Sequence, residues 1–423
     1  MITRIHARNY RNLVLEESLM LSSLNVFVGA NGSGKSNLIR ILRFLQDAIT
    51  GAPDERRGVT RFENAMARFG SGRILDVSLE RPAFVELSVS FTDAEQVLFH
   101  HGVRLEVKDE NTVLVRGEEL SYDVNREGED IVTWLYHSID KEPNTAQLYL
   151  WSLNDGDHTV YPVRDLPTNE LYFHSLPEEY SNLLPHQKDS LPLENTRREV
   201  IKSLGTWAFY DSGRMSIEAI RRATPDLGNT DIRLESSGEN LLIVLHNLIR
   251  ENIEFEERLN EAFSELFPRT RKVRILPVGR RTVQLEWYPQ GSKNALYQDD
   301  LSDGTLRMLC WAAVLLSPTL ASLIVLDEPE AGIHPAWLRV LAGWIREASR
   351  KTQVIISTHS SDLLDYFTED IESVHVFQES REQPGKTEIA SLHPVLLSSK
   401  LNEGWKLGDL YRVGDPGVGG WPW

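Results

Sequence analysis

Cysteine is almost missing from this chain. Cys310 stands alone among 423 residues, so no disulfide framework can form, and a reducing compartment such as the cytoplasm fits. Long apolar runs are missing too. The longest candidate, residues 309–316, ends at Ser317 and Pro318, well short of the roughly 18 residues a membrane span needs. The opening MITRIHARNYRNL carries charges with no apolar stretch behind them, so it does not read as a signal peptide. Positive charge is in deficit: 45 Lys and Arg against 62 Asp and Glu leave −17. That excludes a surface coated in basic residues for nucleic acid, although not a local basic patch. There is no internal repeat, no low-complexity tract and no heptad run long enough for an extended coiled coil. What is present is the composition of a globular protein, 41% apolar and 25% charged, in a chain long enough for two or three average domains.

Periodicity organises the chain. LNVFVG, residues 24–29, is a short apolar run ending in glycine and predicts a buried strand. The helix that follows from Lys35 puts Leu38, Ile41, Leu42 and Leu45 on one face, and residues 51–58 read as loop. AFVELSVSF, residues 83–91, alternates like a half-buried antiparallel strand. Alternating segments within residues 100–165 predict a meander of strands. From about 170 to 268 the pattern turns helical. A strong helix spans residues 239–252 with Ser236 and Ser237 near its start, and a second is stopped by Pro268. Residues 271–288 predict a hairpin turned near Gly279. LSDGTLRMLC, residues 301–310, predicts a helix capped by Ser302 or Asp303, ahead of two apolar strands, LIVLD and VIIST.

Three motifs carry chemistry. GANGSGKS, residues 29–36, matches G-x-x-x-x-G-K-[ST] between a predicted strand and helix, the context that pattern requires. Glycines let the backbone curl so that N–H groups converge on phosphate oxygens, and the helix N-terminus adds partial positive charge. Gly29, Asn31, Gly32, Ser33, Gly34, Lys35, Ser36 and Asn37 are the candidate nucleotide contacts, with Lys35 reaching the β- and γ-phosphates and Ser36 a ligand of Mg²⁺. LIVLDEPEAGIHP, from residue 323, ends a buried strand in two acids. Asp327 there would hold the Mg²⁺ shell and Glu328 would act as general base on the attacking water. His359 closes a third apolar strand, where it could donate a hydrogen bond to a γ-phosphate. Ser302 and the backbone around Gly304 offer a second anion-binding corner, either a plain helix cap or half of a site completed elsewhere.

The order phosphate loop, LSDGT, LIVLDEPE with AGIHP, and STHS resembles the RecF/SMC-like branch of the ABC ATPases, most of all the bacterial single-chain "predicted ATPases" of that branch. The opening IHARNYRNL, the segment SSGENLLIVLHNL and the tail LGDLYRVGDPGVGG look like that group as well. The resemblance implies an α/β fold: an ABC-type P-loop NTPase head with a mixed β-sheet core, an antiparallel β-subdomain and an inserted helical lobe carrying the signature. The expected divisions are an N-terminal ATPase lobe over 1–165, the inserted lobe and hairpin over 166–322, and a C-terminal ATPase half over 323–423. It further implies that Arg11 and Asn12 lie near the nucleotide, that Glu328, Lys35 and His359 are catalytic, and that Ser302 and Gly304 act across a dimer interface. Ala331, Gly332 and His334 would form the loop where two active sites communicate. Two departures stand out. No glutamine loop is identifiable, since Gln46 comes too early and Gln96 is only a candidate. The signature reads D-G-T rather than the G-G-Q of transporters, which argues against a transporter subunit.

ATP and Mg²⁺ are the implied cofactors, and self-association, as a dimer or larger oligomer, is the implied use of the energy. Two outputs are open. One is a DNA transaction, in repair or anti-phage defence, supported by the six basic residues and no acid within residues 269–281. The other is a regulatory ATPase that holds a separately encoded effector protein, such as a nuclease or toxin, with Trp405, Trp421 and Trp423 in the tail as docking candidates. A nuclease domain in cis is not expected. Only about 55 residues follow the His359 region, against roughly a hundred for a small α/β domain.

Overall fold

The computed structural model describes residues 1–13, 15, 17–93, 97–123, 131–138, 145–152, 158–164, 167–175, 193–279, 282–380 and 382–419. Contacts divide the chain into two interleaved units. The first takes residues 1–22, 31–207 and 377–390, and the second takes residues 23–30, 208–376 and 391–423.

The first unit is built on an antiparallel sheet. Its order is Leu19–Met20, Ile2–Arg8, Ala83–Thr92, Leu98–Val107, Val113–Asp123, Ile131–Ser138, Thr145–Ser152 and His158–Arg164. From Ala83 onward each strand pairs with the next, so the alternating segments do form a meander, and Ile131–Ser138 adds a strand to those predicted. Val85, Leu87, Val89 and Phe91 alternate into the core, as the period of two requires. Helix Lys35–Thr50 belongs to this unit and buries Leu38, Ile41, Leu42 and Leu45, the predicted face. Helix Arg61–Phe69 follows it, opened by a capping box of Thr60 and Glu63.

The second unit holds a largely parallel sheet, in which Trp207–Asp211, Leu323–Asp327, Gln353–Thr358, Leu24–Val28 and Val374–Glu379 stand in that order. The three central strands are parallel to one another, and all five residues of Leu24–Val28 are buried. A sheet covered on both faces needs such uninterrupted apolar runs. The predicted hairpin is present as Thr270–Val278 and Thr282–Pro289, with Gly279 at φ 64 in the turn. Helices Leu241–Glu251, Ile253–Leu266, Asp303–Leu315 and Leu338–Ser349 complete the core. Cys310 is fully buried there, and burial pushes its thiol up to about 12.

Two local expectations change. Helix Leu241–Glu251 starts at Asn240 rather than at Ser236 or Ser237. The Asn240 side chain instead pins the preceding loop, accepting from Glu235 N–H at 2.9 Å and donating to the Arg233 carbonyl at 3.0 Å. The stretch from 170 to 268 is also not wholly helical, because WAFYD forms the strand Trp207–Asp211. Among the described residues, no helix is long and apolar enough to cross a membrane.

Candidate nucleotide site

Parallel register places three candidate positions at one sheet edge. Val28 pairs with Thr358 and Asp327 pairs with Ser357. Gly29, His359 and the Asp327–Glu328 pair therefore emerge together at the C-terminal ends of adjacent strands, where open α/β sheets bind ligands. Ser357, fully buried, donates its hydroxyl to Asp327 Oδ1 and so fixes the carboxylate's direction. Glu328 turns out of the strand at φ 50, a left-handed conformation that is uncommon for a residue with a side chain. Its N–H is held by the Ser357 carbonyl at 3.0 Å. Its Oε1 then lies 3.2 Å from His359 Nδ1, with both side chains open to solvent at 41% and 46% exposure.

A carboxylate that the motifs did not flag stands beside this pair. Glu330 Oε1 accepts from the Thr358 hydroxyl at 2.5 Å, and burial raises the Glu330 pKa above the usual carboxylate range. Thr358 Oγ1 in turn accepts from Ser360 N–H at 3.0 Å. Residues on both sides of His359 are thus tied down. Sequence spacing alone could suggest Glu330, as the third acid of DEPE, but not Ser357 or Thr358, which are ordinary residues of a buried strand.

In the first unit, residues 31–36 run into helix Lys35–Thr50. Gly32 has φ 82 and Gly34 has φ 102, so the loop uses backbone conformations that favour glycine. Gly34 is also sterically locked: a Cβ there would come within 2.7 Å of Thr387 Oγ1. Thr387 itself donates to the Ser33 carbonyl at 2.9 Å, and its N–H reaches the Asn12 carbonyl at 2.7 Å. This threonine buttresses the loop from 354 residues away in sequence, and no local pattern could have found it.

Arg11 and Asn12 lie against the loop. Arg11 Nη1 donates to Asn37 Oδ1 at 3.1 Å, Asn37 Nδ2 donates to Asn12 Oδ1 at 2.7 Å, and Asn12 Nδ2 donates to the Gly32 carbonyl at 3.3 Å. The turn that presents them holds Asn9 at φ 60 and Arg11 at φ 51. Lys35 is 5% exposed at the start of the helix. That helix begins on Gly34 with no side-chain cap, and Leu241–Glu251 and Leu338–Ser349 also lack one, whereas Thr60, Ser216, Asn252, Ser302 and Ser360 each cap theirs. An uncapped N-terminus within a glycine loop is suited to phosphate oxygens. Gln46 is committed elsewhere, donating to the Leu204 and Trp207 carbonyls at 2.7 and 2.8 Å, and Gln96 lies outside the described residues.

Ser302 caps helix Asp303–Leu315, and its Oγ accepts from Thr305 N–H at 3.2 Å. Asp303 pairs with Arg221 at 2.8 Å, and Arg221 also holds the Leu301 carbonyl at 2.6 Å. Gly304 packs so closely that a Cβ would come within 3.0 Å of the Gly332 carbonyl oxygen and 3.1 Å of the Trp337 ring. Arg307 packs on Gly332 and donates to the Ser212 carbonyl at 2.8 Å, and Trp311 Nε1 donates to the Pro329 carbonyl at 3.0 Å. The exposed Ser302 end is therefore braced against the loop that follows Glu328 in the same chain.

The candidate metal ligands fit Mg²⁺ in kind. A hydroxyl from Ser36 and a carboxylate from Asp327 are hard oxygen donors. Among the described residues no group of three or more His, Cys, Asp or Glu could hold a metal ion.

Glycine loop, strand-end acids and strand-end histidine are the motifs of a P-loop ATPase, and the α/β fold is of the ABC type. The chain belongs to the family described as "AAA domain, putative AbiEii toxin, Type IV TA system", which matches residues 24–365. Among solved structures it is similar to an SMC head bound to the C-winged helix domain of ScpA, at 14% identity and TM-score 0.50 over 92% of this chain and 98% of that one. An Smc head with an extended coiled coil, bound to the C-terminal domain of ScpA derived from Pyrococcus furiosus, matches at 14% identity and TM-score 0.48, covering 95% and 98%. The SMC head domain from Thermotoga maritima matches at 13% identity and TM-score 0.38, covering 93% and 99%. At these identities the likeness concerns the fold. No curated protein matches the chain.

Proposed function

We propose that this protein binds and hydrolyses ATP as an ATP-gated homodimer or larger oligomer, in a DNA-related process such as repair or anti-phage defence. The observation that carries the reading is the shared sheet edge of Gly29, Asp327, Glu328 and His359. Lys35 and the loop N–H groups bind the β- and γ-phosphates. Ser36 and Asp327 would hold Mg²⁺, whose charge would polarise the phosphoryl oxygens when bound. Glu328 accepts the proton of the attacking water. His359, in contact with Glu328, donates a hydrogen bond to the γ-phosphate and so registers its presence. Ser302 and Gly304 close over the nucleotide bound by a second copy. Hydrolysis then changes association rather than transferring phosphate to a substrate.

The basic hairpin supports DNA less strongly than its sequence suggests. Arg269, Arg271 and Arg274 are exposed, but Lys272 pairs with Glu256 at 2.9 Å, Arg274 stands opposite Glu286 in the ladder, and Arg280 and Arg281 lie outside the described residues. A second reading, a switch that holds a separately encoded protein, is favoured by the exposed apolar residues Val395, Leu396, Trp405 and Val413 near the C-terminus. Trp421 and Trp423 lie outside the described residues. That the SMC head of similar fold is bound to the C-winged helix domain of ScpA supports this reading.

Glu328→Gln tests the proposal. It should bind ATP, lose turnover by about 100-fold or more, and form ATP-dependent dimers or larger species in light scattering. A variant that stays monomeric at saturating Mg-ATP contradicts the gating. Purifying the same variant from native cells with ATP, and then titrating it with duplex DNA, separates the DNA reading from the effector reading.

A further inference from the structure

The segment that carries His359 has little stability of its own. After the strand Gln353–Thr358 the chain makes a one-turn helix, Ser361–Leu364, capped by Ser360 Oγ accepting from Leu363 N–H at 3.2 Å. One turn fixes several dihedrals for few hydrogen bonds, so its position has to be set from outside.

The C-terminal helix Leu407–Arg412 supplies that support. A Cβ built at Gly408 would overlap the Ser361 carbonyl oxygen and the Asp365 carboxylate, so only glycine fits at this approach. Leu407 N–H donates to Thr368 Oγ1 at 3.1 Å. Arg412 donates to Asp362 on the one-turn helix and to Asp409 on its own helix, each at 2.9 Å. Leu407 and Leu410 are buried in the same core as Leu363 and Leu364. The C-terminal helix is itself anchored. Lys400 pairs with Asp415, Asp415 accepts from Gly417 N–H at 2.9 Å, and Val418 is fully buried.

We propose that helix Leu407–Arg412 is a positioning clamp for hydrolysis. Gly408 and Arg412 hold the one-turn helix so that His359 meets Glu328, and turnover depends on this clamp while nucleotide binding does not. The inference rests on the reading of Glu328 and His359 as the hydrolytic pair. Neither Gly408 nor Arg412 touches nucleotide in this scheme; both act through His359.

The test uses the full chain. Because a misplacement of about 1 Å can cost on the order of 100-fold in rate, Gly408→Ala and Arg412→Asp should each lower kcat by about tenfold or more. KM and ATP affinity should stay unchanged. Adding either substitution to His359→Ala should cause no further loss, a non-additivity that general destabilisation would not produce. Should Gly408→Ala not fold, the charge exchange decides: Asp362→Arg in the Arg412→Asp background should restore kcat. Additive losses, or an unchanged kcat in Arg412→Asp, overturn the clamp and leave the hydrolytic site standing. Wild-type turnover in His359→Ala overturns the hydrolytic pair, and the clamp with it.

Discussion

Two helix starts in this chain invite the same ligand and are built in opposite ways. Helix Lys35–Thr50 opens on Gly34, left-handed, with no side chain across its first turn. Helix Asp303–Leu315 opens on Ser302, whose hydroxyl already accepts from Thr305 N–H and lies 2.8 Å from Thr305 Oγ1. The first has a glycine in place of a capping side chain and is buttressed by Thr387. The second is satisfied within its own chain and stands exposed, so it needs no ligand to be stable. That difference suits a division of labour in which one end binds nucleotide in every copy and the other engages only when a second copy presents one.

The comparison can be broken most severely at Lys35. Lys35→Ala should abolish ATP binding in calorimetry, and normal hydrolysis by that variant would refute the reading of the whole edge. Ser302→Arg should leave ATP affinity near the wild-type value while turnover falls by about 100-fold, the scale on which a single transition-state donor acts. Unchanged turnover would reduce Ser302 to a helix cap. Gly34→Ala should weaken ATP binding by about tenfold, because strain at a left-handed residue costs on the order of 1–3 kcal/mol and its Cβ would press on Thr387. The smallest effects separate cap from cradle. Ser302→Ala should cost about 1 kcal/mol in denaturant unfolding through the lost cap. Thr387→Val should cost about 1 kcal/mol through the lost bond to Ser33, with a weakened ATP affinity that Ser302→Ala does not share.

The parts that were legible in the sequence are those in which a local pattern and a local function coincide. An apolar run ending in glycine, and apolar runs ending in Asp327 or His359, fix the element and mark the candidate site residues within about ten residues. The contacts of Asn12 and Arg11 with Gly32 and Asn37 have no local signal in the sequence. The rest depends on distant contacts. Thr387 looks like any strand threonine until its hydroxyl meets Ser33. Trp207–Asp211 is a five-residue strand following a helix, too short for its period to show. Asn240 displaces two serines as the helix start because its side chain holds the loop before it. Gly408 is one of 27 glycines, and only its close approach to Ser361 sets it apart.

The central claim is that the Ser302 end of one copy completes the phosphate-loop end of another. The most direct measurement mixes two inactive proteins. Lys35→Ala keeps an intact Ser302 end, and Ser302→Arg keeps an intact phosphate loop, so a mixed pair contains one complete composite site. ATP hydrolysis by the mixture should rise well above the sum of the two variants measured alone and should depend on total protein concentration. A mixture no more active than its components, with both variants folded and Ser302→Arg still binding ATP, would contradict the claim.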